Sequence, residues 1–593
     1  MNSLPAHAMT RHAVTALLSG LLLWLGFLVY GSTGHDDSHI NFWNVHTLLT
    51  RGELVNYNGE RVEQTTSLLQ DFLTAILTQL SPLHLVTHGY LVDISAALGC
   101  CLLGTRLARQ VAPTLAGWMP WLILSSSSFL LWTFGGMGAP LTAFCLLAGI
   151  TIWTQWLTSN SPQGTTFVQL TLITLALVLV RPEMPVVIVA LSLALTLLYW
   201  RQPNQRQRCL ALLALSITAA AALFIWQHLY FGSWLPIPAV AKQGGDLLPQ
   251  LQRGTRYMLV GCLQNPVMPL ALLIAIVSAW QLFLRWCKGK ASVDNTLLTI
   301  TLCCFMVYTG FVWTAGGDWM QAGRFLVPVI IPASLLVLHC LQSFNRPAIA
   351  HGIITVLVAL QLAIQYPIIA STSHGMPVWV QSRITPSHTA QYSLFEQLNQ
   401  EHLRDMAVID RLAEIIPVFQ QSLQRPVQLM SGQAGMVFYY TASRFYGDVH
   451  FRDLRGLVES SLTLCPLLQD IPRSPQGLFW GYREFFERLP QLEQQCGIAP
   501  PDIIYDLNDM NQKLGKTLEP YGYTLIHKEN GFVLENFTAL PYNRLLSPNM
   551  IFVRNELLPL LTDPAKRITN YQDLPLQSRW PMQPTTQATM PAL

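Results

Sequence analysis

Two adjacent carboxylates, Asp36 and Asp37, stand in the run His35-Asp36-Asp37-Ser38-His39, directly after the first apolar stretch of the chain. A carboxylate at a membrane surface can take the proton from an attacking hydroxyl as a general base. Further charges recur between later apolar runs: Glu60, Arg61 and Glu63 in GELVNYNGERVE, Arg181-Pro182-Glu183, Lys242 after YFGSWLPIPAVA, and Gly316-Gly317-Asp318-Trp319 with Arg324. Arginine and lysine can neutralise the charge that grows on a departing phosphate. Lipid-linked donors present their phosphate at that depth, so the set suits transfer of a sugar from a lipid phosphate to a hydroxyl. Taken singly, each motif has a plain explanation: Asp37-Ser38 can cap a helix over 39–51, and Arg181-Pro182-Glu183 can be a tight turn. Charges clustered on one face of a polytopic protein carry more weight, because placing them near lipid is costly.

The elements that must position these residues are membrane helices. The chain has 593 residues, 51% of them hydrophobic and only 11% charged, with a mean hydropathy of +0.35. Ordinary soluble domains carry roughly 25% charged residues, so a disordered chain is excluded and the composition argues against a wholly soluble one. The net charge of +3, without a basic cluster, argues against nucleic acid as a partner. Spans of about 20 apolar residues are expected near 13–31, 84–104, 115–132, 139–157, 166–180, 184–200, 209–229, 266–286, 295–313, 325–343 and 348–370. The stretch 65–80 is too short and polar to join them and is expected as a re-entrant or amphipathic interfacial helix. Arg11 puts the N-terminus in the cytoplasm by the positive-inside rule. Eleven spans then leave Arg106, Arg109, Arg201, Arg206, Arg208, Arg285, Lys288, Lys290 and Arg346 in short inner loops. Every motif named above falls on the outer side.

Of the 67 charged side chains, 39 lie in residues 371–593. The expected division is therefore a transmembrane catalytic domain over 1–370, with a first outer loop over 32–83, and a soluble outer domain over 371–593. There, MAVID (406–410), VQLM (427–430) and DIIYD (502–506) read as buried strands, 412–423 as a helix, and Asn530-Gly531 as a hairpin turn. Nine of the 11 cysteines lie in the membrane half. Cys465 and Cys496 would occupy an oxidising compartment under this topology and are expected to pair. Asp93, inside the second span, is expected to make a helix-to-helix hydrogen bond or a polar contact beneath the site.

The segment DDSHINFWNVHTLLTRGELVNYNGERVEQTTSLL resembles the first periplasmic loop of integral-membrane GT-C glycosyltransferases. It is most similar to the mycobacterial terminal arabinofuranosyltransferase family and its Gram-negative relatives. RPE, YFGSWLPIPAVAK, GGDWMQAGRFLVP and GQAGMVFYY…DLRGL resemble that family's motifs in the same order. The resemblance implies an inverting, polyprenyl-phosphate-sugar-dependent glycosyltransferase of the inner (plasma) membrane of a bacterium, acting on a cell-envelope glycan at the periplasmic face. It implies Asp36 as the general base, with Asp37 as the alternate or acceptor-orienting carboxylate. Glu60, Arg61 and Glu63 match the loop that shapes the site, with Glu183 among the shaping residues. Arg61, Arg181, Lys242 and Arg324 are candidates for the donor phosphate. Asp318 would meet sugar hydroxyls or pair with Arg324, and Trp319 would line the donor groove. The outer domain would hold the acceptor or act as a lid. Gly138 stands where relatives often have Glu, and Gln64-Thr65, Leu68 and Ile237-Pro238 also depart from the pattern, which bears on the sugar more than on the reaction class. No metal is expected to be required, although a divalent ion remains compatible with the carboxylates. The competing class is a transporter or flippase of a lipid-linked saccharide, which should show midplane ionisable groups or inverted repeats.

Overall fold

The computed structural model describes residues 6–30, 36–159, 164–242, 247–288, 295–318, 320–344, 346–370, 394–469, 482–507, 517–528 and 549–561. Seven helices in it are long and apolar enough to cross a membrane: Leu85–Val111, Ala139–Thr158, Pro203–Phe231, Val267–Cys287, Thr296–Thr314, Ala322–Gln342 and Pro347–Ile364. Three further expected spans are shorter apolar helices, Ala13–Phe27, Gly164–Val180 and Met184–Leu198. The eleventh, 115–132, is not one helix. It breaks into Met119–Leu124 and Ser127–Thr133, with Ser126 extended between them and its side chain capping the N–H of Phe129. Serine competes with helical backbone for its own hydrogen bonds, and four consecutive serines, 125–128, end the helix where a hydropathy window sees only a continuous apolar run.

Two other expectations are corrected. MAVID is not a strand but part of the helix Leu394–Leu423. Val408, Ile409, Leu412, Ile415, Ile416 and Phe419 are all buried at helical spacing, and a five-residue apolar run is too short to distinguish the two periods. The outer loop expected before residue 266 contains a helix, Leu247–Gln264, whose buried positions are Gly254, Gly261 and Gln264. Glycine is required where this helix crosses its neighbours. A Cβ on Gly254 would lie 1.9 Å from the Trp313 carbonyl oxygen, and one on Gly261 would lie 2.0 Å from Leu326. The stretch 65–80 forms the helix Leu68–Leu80, started by the Ser67 side chain accepting from the N–H of Gln70.

The C-terminal part is built on a five-stranded mixed sheet of order β2-β1-β3-β5-β4. Its strands are β1 (Val427–Ser431), β2 (Val449–Asp453), β3 (Ile503–Leu507), β4 (Tyr523–Lys528) and β5 (Asn549–Arg554). β1 pairs in parallel with β2 and β3, whereas β5 runs antiparallel to β3 and β4. VQLM and DIIYD thus fall on β1 and β3, while Asn530-Gly531 lies outside the described residues. Alternate residues serve opposite faces. Leu429, Ile503, Tyr505, Ile551 and Val553 enter one core, and Met430, Ile504, Met550 and Phe552 enter the other. The first core also takes in Ile40, Phe42, Trp43 and Tyr57, so the loop after the first apolar helix is packed into the sheet layer.

Cys465 and Cys496 form a disulfide, with Cα atoms 6.0 Å apart and a sequence separation of 31. A loop of that length constrains the unfolded chain by about 3–4 kcal/mol. Reduction should therefore lower the melting temperature of the intact protein. A non-reducing peptide map without the Cys465–Cys496 linkage would refute the pairing.

Candidate active site

Asp36 and Asp37 form the turn that starts the helix Ser38–Arg51, their carbonyls accepting from the N–H groups of His39 and Ile40 at 3.0 and 3.2 Å. A second helix, Met436–Phe445, meets that turn end-on. The N–H of Met436 donates to Oδ1 of Asp36 at 2.6 Å, so a carboxylate faces the positive end of a helix dipole. The approach is close enough to require glycine beside it: a Cβ on Gly435 would lie 2.1 Å from the Asp36 carbonyl oxygen. Tyr57, fully buried behind the pair, donates to the carbonyls of Gly435 and His39 at 3.4 and 3.5 Å. Burial first, then the charge of Asp36, pushes its phenol well above the ordinary value, so it stays neutral.

Farther along the same loop, Asn58 and Phe451 exchange two hydrogen bonds of 2.8 and 2.7 Å. Asn56 Nδ2 donates to Glu60 at 2.8 Å and to the Val458 carbonyl at 3.0 Å. Glu60 is thus exposed at the seam with the sheet layer. Arg61 sits at the rim, 54% exposed, paired with Glu53 at 3.0 Å and lying over the Tyr230 ring.

Glu63 points inward. Its Oε1 accepts from Gln227 at 2.9 Å, and it lines a narrow cleft with Thr65, Thr66, Leu179, Arg181 and Leu223. Burial, only partly offset by the Gln227 bond, pushes its carboxyl up from 4.5 to about 7. The fold therefore favours the protonated form: stability is full below the unfolded value and falls as pH rises toward 7, by on the order of 3 kcal/mol. Glu63→Gln keeps the Gln227 bond and removes the titration. Its melting temperature should gain on wild type between about pH 5 and 7.5. Melting curves that stay parallel across that range would show that Glu63 titrates normally.

Behind the cleft two buried arginines converge. Arg181 is paired with Glu183, and Tyr308 donates to the same Glu183 oxygen at 3.2 Å. Burial works against the Arg181 charge, but Glu183 more than restores it. Arg324 pairs with Asp318 at 2.7 Å, both side chains 2% exposed, which is the second of the two roles open to Asp318. The Phe325 ring lies 4.9 Å from the Arg181 guanidinium and 5.3 Å from that of Arg324, and the Phe325 N–H donates to Tyr257 at 3.0 Å. Two guanidiniums therefore share one aromatic ring while each keeps one carboxylate, a geometry that suits arginine rather than lysine.

The loop Gly135-Gly136-Met137-Gly138 connects the two centres. Met137 sulfur lies 3.2 Å from Arg324, and Gly136 is in contact range of Tyr90 and Phe42, the latter on the Ser38–Arg51 helix. The N–H of Gly138 donates to Asp93 at 3.1 Å, and Gln70 donates to the same oxygen at 3.4 Å. Asp93 thus holds this loop and the helix Leu68–Leu80. Gly138 itself has φ +69, and the room for any Cβ is taken by Gln70 at 2.9 Å and Ser67 at 3.1 Å. A glutamate there would strain the left-handed backbone and displace the Gln70 amide.

The structure thus gathers Arg181, Glu183, Asp318 and Arg324, seats Glu63 beside Arg181 in the cleft, and leaves Glu60 and Arg61 outside. The side chain of Lys242, and all of His35 and Trp319, lie outside the described residues. Sequence reading missed Tyr257, Tyr308, Phe325, Met137 and Gly435. Gly435 and Phe325 stood inside motifs singled out beforehand, and Met137 inside the glycine-rich outer loop Gly135–Pro140.

No family model matches the sequence, and no curated protein is detectably similar to it. The architecture does match solved structures. ArnT from Cupriavidus metallidurans, solved with undecaprenyl phosphate bound, superposes at a TM-score of 0.53 and 11% identity, over 92% of this chain and 98% of its own. The chain has the GT-C fold. The archaeal oligosaccharyltransferase AglB from Archaeoglobus fulgidus, solved with an inhibitory peptide and a dolichol-phosphate, shares that fold at 0.50 and 10% identity, over 91% of this chain and 76% of AglB. The mycobacterial arabinofuranosyltransferase AftD superposes at 0.44 with 13% identity, this chain spanning 40% of its length.

Proposed function

We propose that this GT-C chain is an inverting glycosyltransferase that moves a sugar from a polyprenyl phosphate to a hydroxyl of a cell-envelope glycan. In this reading residues 1–370 carry the membrane-embedded chemistry. Residues 371–593 lie over it on the periplasmic side of a bacterial inner membrane, with the N-terminus in the cytoplasm. The observation that carries it is the pair of buried guanidiniums around Phe325, joined through the Gly136–Met137 turn to the helix that Asp36 begins. The fold is shared with a protein solved with undecaprenyl phosphate bound.

The step balances without a further reagent. Asp36, or Asp37 in its place, takes the proton of the acceptor hydroxyl as its oxygen attacks the anomeric carbon. The bond from that carbon to the phosphate oxygen breaks on the opposite face, inverting the centre. The electron pair leaves with polyprenyl phosphate, whose charge is met by Arg181 and Arg324. Both arginines are already neutralised by Glu183 and Asp318, so an incoming phosphate must compete with those carboxylates. The guanidiniums supply the charge stabilisation, and the reading requires no metal. Glu63, in the cleft beside Arg181, borders the donor.

The test is transfer by the purified full chain in liposomes, offered a panel of polyprenyl-phosphate sugars and envelope glycans. Release of free polyprenyl phosphate coupled to glycan extension is the expected result. No release from any donor, with lipid-linked sugar crossing between leaflets instead, would replace the transferase by a flippase.

A further inference from the structure

Three helix breaks meet behind Arg324. The first is Ser125-Ser126, between Met119–Leu124 and Ser127–Thr133; the second is Asn265-Pro266, between Leu247–Gln264 and Val267–Cys287. The third is the turn before Val327–Gln342, where Ala322 (φ 50) and Gly323 (φ 60) are both left-handed. Ala322 is one of only two non-glycine residues with positive φ among those described. Such a conformation is strained and persists only where its surroundings over-determine it.

The surroundings are polar and fully enclosed. Asn265, at 0% exposure, accepts from the Ser126 hydroxyl at 2.6 Å and donates to the Ser128 hydroxyl at 2.8 Å and to the Gly261 carbonyl at 3.2 Å. The position a Cβ would take on Gly323 is 3.5 Å from the Ser128 oxygen and 3.6 Å from the Gln264 amide oxygen, so the turn rests directly on this network. The half-helix that Ser126 and Ser128 begin ends with Trp132 and Thr133, and the Trp132 ring lies 5.6 Å from the Arg324 guanidinium. Asn265 therefore anchors the half-helix that bears one of the rings packed against Arg324, and the turn that carries Arg324 lies against the Ser128 hydroxyl that Asn265 bonds.

We infer that Asn265 is a positioning residue for the Arg324 guanidinium, acting through Ser126 and Ser128, and so sets the affinity for the phosphate of a lipid-linked donor. The inference rests on the functional reading above. Asn265 is far from solvent and is given no contact with the donor. Its effect reaches the phosphate through the angle at which Arg324 is held, and small misplacements of a binding group are expensive.

Ser125 provides the control. Its hydroxyl is also buried but bonds Gln361 at 3.0 Å, on the helix Pro347–Ala370. The experiment compares Asn265→Ala, Ser128→Ala and Ser125→Ala in the full chain by melting temperature, by affinity for undecaprenyl phosphate, and by KM and kcat for the donor identified in the transfer assay. Asn265→Ala should weaken undecaprenyl phosphate binding and raise the donor KM by about 10-fold or more, with the acceptor KM unchanged. Ser128→Ala removes a single oxygen and should move the same constants in the same direction, so it decides the matter if Asn265→Ala does not fold. Ser125→Ala should cost stability alone. Wild-type affinity in both Asn265→Ala and Ser128→Ala, with stability losses like that of Ser125→Ala, overturns the proposal and leaves Asn265 as a structural bond. Wild-type protein that binds no undecaprenyl phosphate overturns the functional reading itself, and the proposal with it.

Discussion

Asp36→Asn lowers the release of polyprenyl phosphate by about 10²- to 10⁴-fold, the usual contribution of a general base, while the protein folds and inserts normally. The two halves of that expectation come from different atoms. Asparagine has almost the shape of aspartate, and its amide oxygen still accepts the hydrogen bond that the Met436 N–H gives Asp36 at 2.6 Å. The turn, the helix end and the surrounding aromatic packing are therefore kept. What is lost is the ability to hold a proton drawn from the acceptor hydroxyl. The measurement is release of free polyprenyl phosphate under single-turnover conditions, alongside the melting temperature. A normal rate in Asp36→Asn with a lost one in Asp37→Asn would exchange the roles of the two carboxylates. Normal rates in both would end the base-catalysed mechanism for this loop.

Gly435→Ala should be nearly as damaging although it adds only one methyl group. The added carbon would stand 2.1 Å from the Asp36 carbonyl oxygen and 2.5 Å from its Cγ. Those are a backbone atom and the carboxyl carbon itself, not the far end of a flexible side chain, so either the helix Met436–Phe445 lifts away or the Asp36 turn moves. A shift of about 1 Å at a reacting group can cost on the order of 10²-fold in rate. Hydrogen exchange over residues 36–51 should rise in step, because that helix is packed into the same core as the sheet layer. Gly447→Ala separates this collision from backbone strain. Gly447 has φ +85 with nothing within 4 Å of its Cβ position, so alanine there should cost roughly 1 kcal/mol of stability and leave transfer alone. Full activity in Gly435→Ala would mean that the sheet layer does not govern the geometry of Asp36.

Part of this molecule was legible residue by residue. Hydropathy windows located the apolar helices because burial in lipid is a local property, summed over some 20 neighbours in sequence. Two of the three strands read from VQLM, DIIYD and MAVID were correct. The third was a helix, because a five-residue run fits either period and only the longer spacing through Phe419 distinguishes them. The serine run at 125–128 escaped for a related reason: the hydroxyls of Ser125, Ser126 and Ser128 bond Gln361 and Asn265, which lie between 137 and 236 residues away. Where a polar group finds its partner decides whether it breaks a helix, and a window contains no information about the partner.

The sequence by itself determined the membrane class, the mixed α/β character of the C-terminal part and the neighbourhoods from which the candidate site is drawn. Only the tertiary structure decided that Arg181 and Arg324 flank one phenylalanine, that Asp318 is committed to Arg324, and that Arg61 stays at the rim. It alone joined Asp36 to Met436 across 400 residues. The physical reason is that the entropy of closing a loop grows only with the logarithm of its length. A contact spanning 400 residues is little costlier than one spanning 100, so separation along the chain neither forbids nor announces it, and the choice falls to the packing of the surfaces that meet.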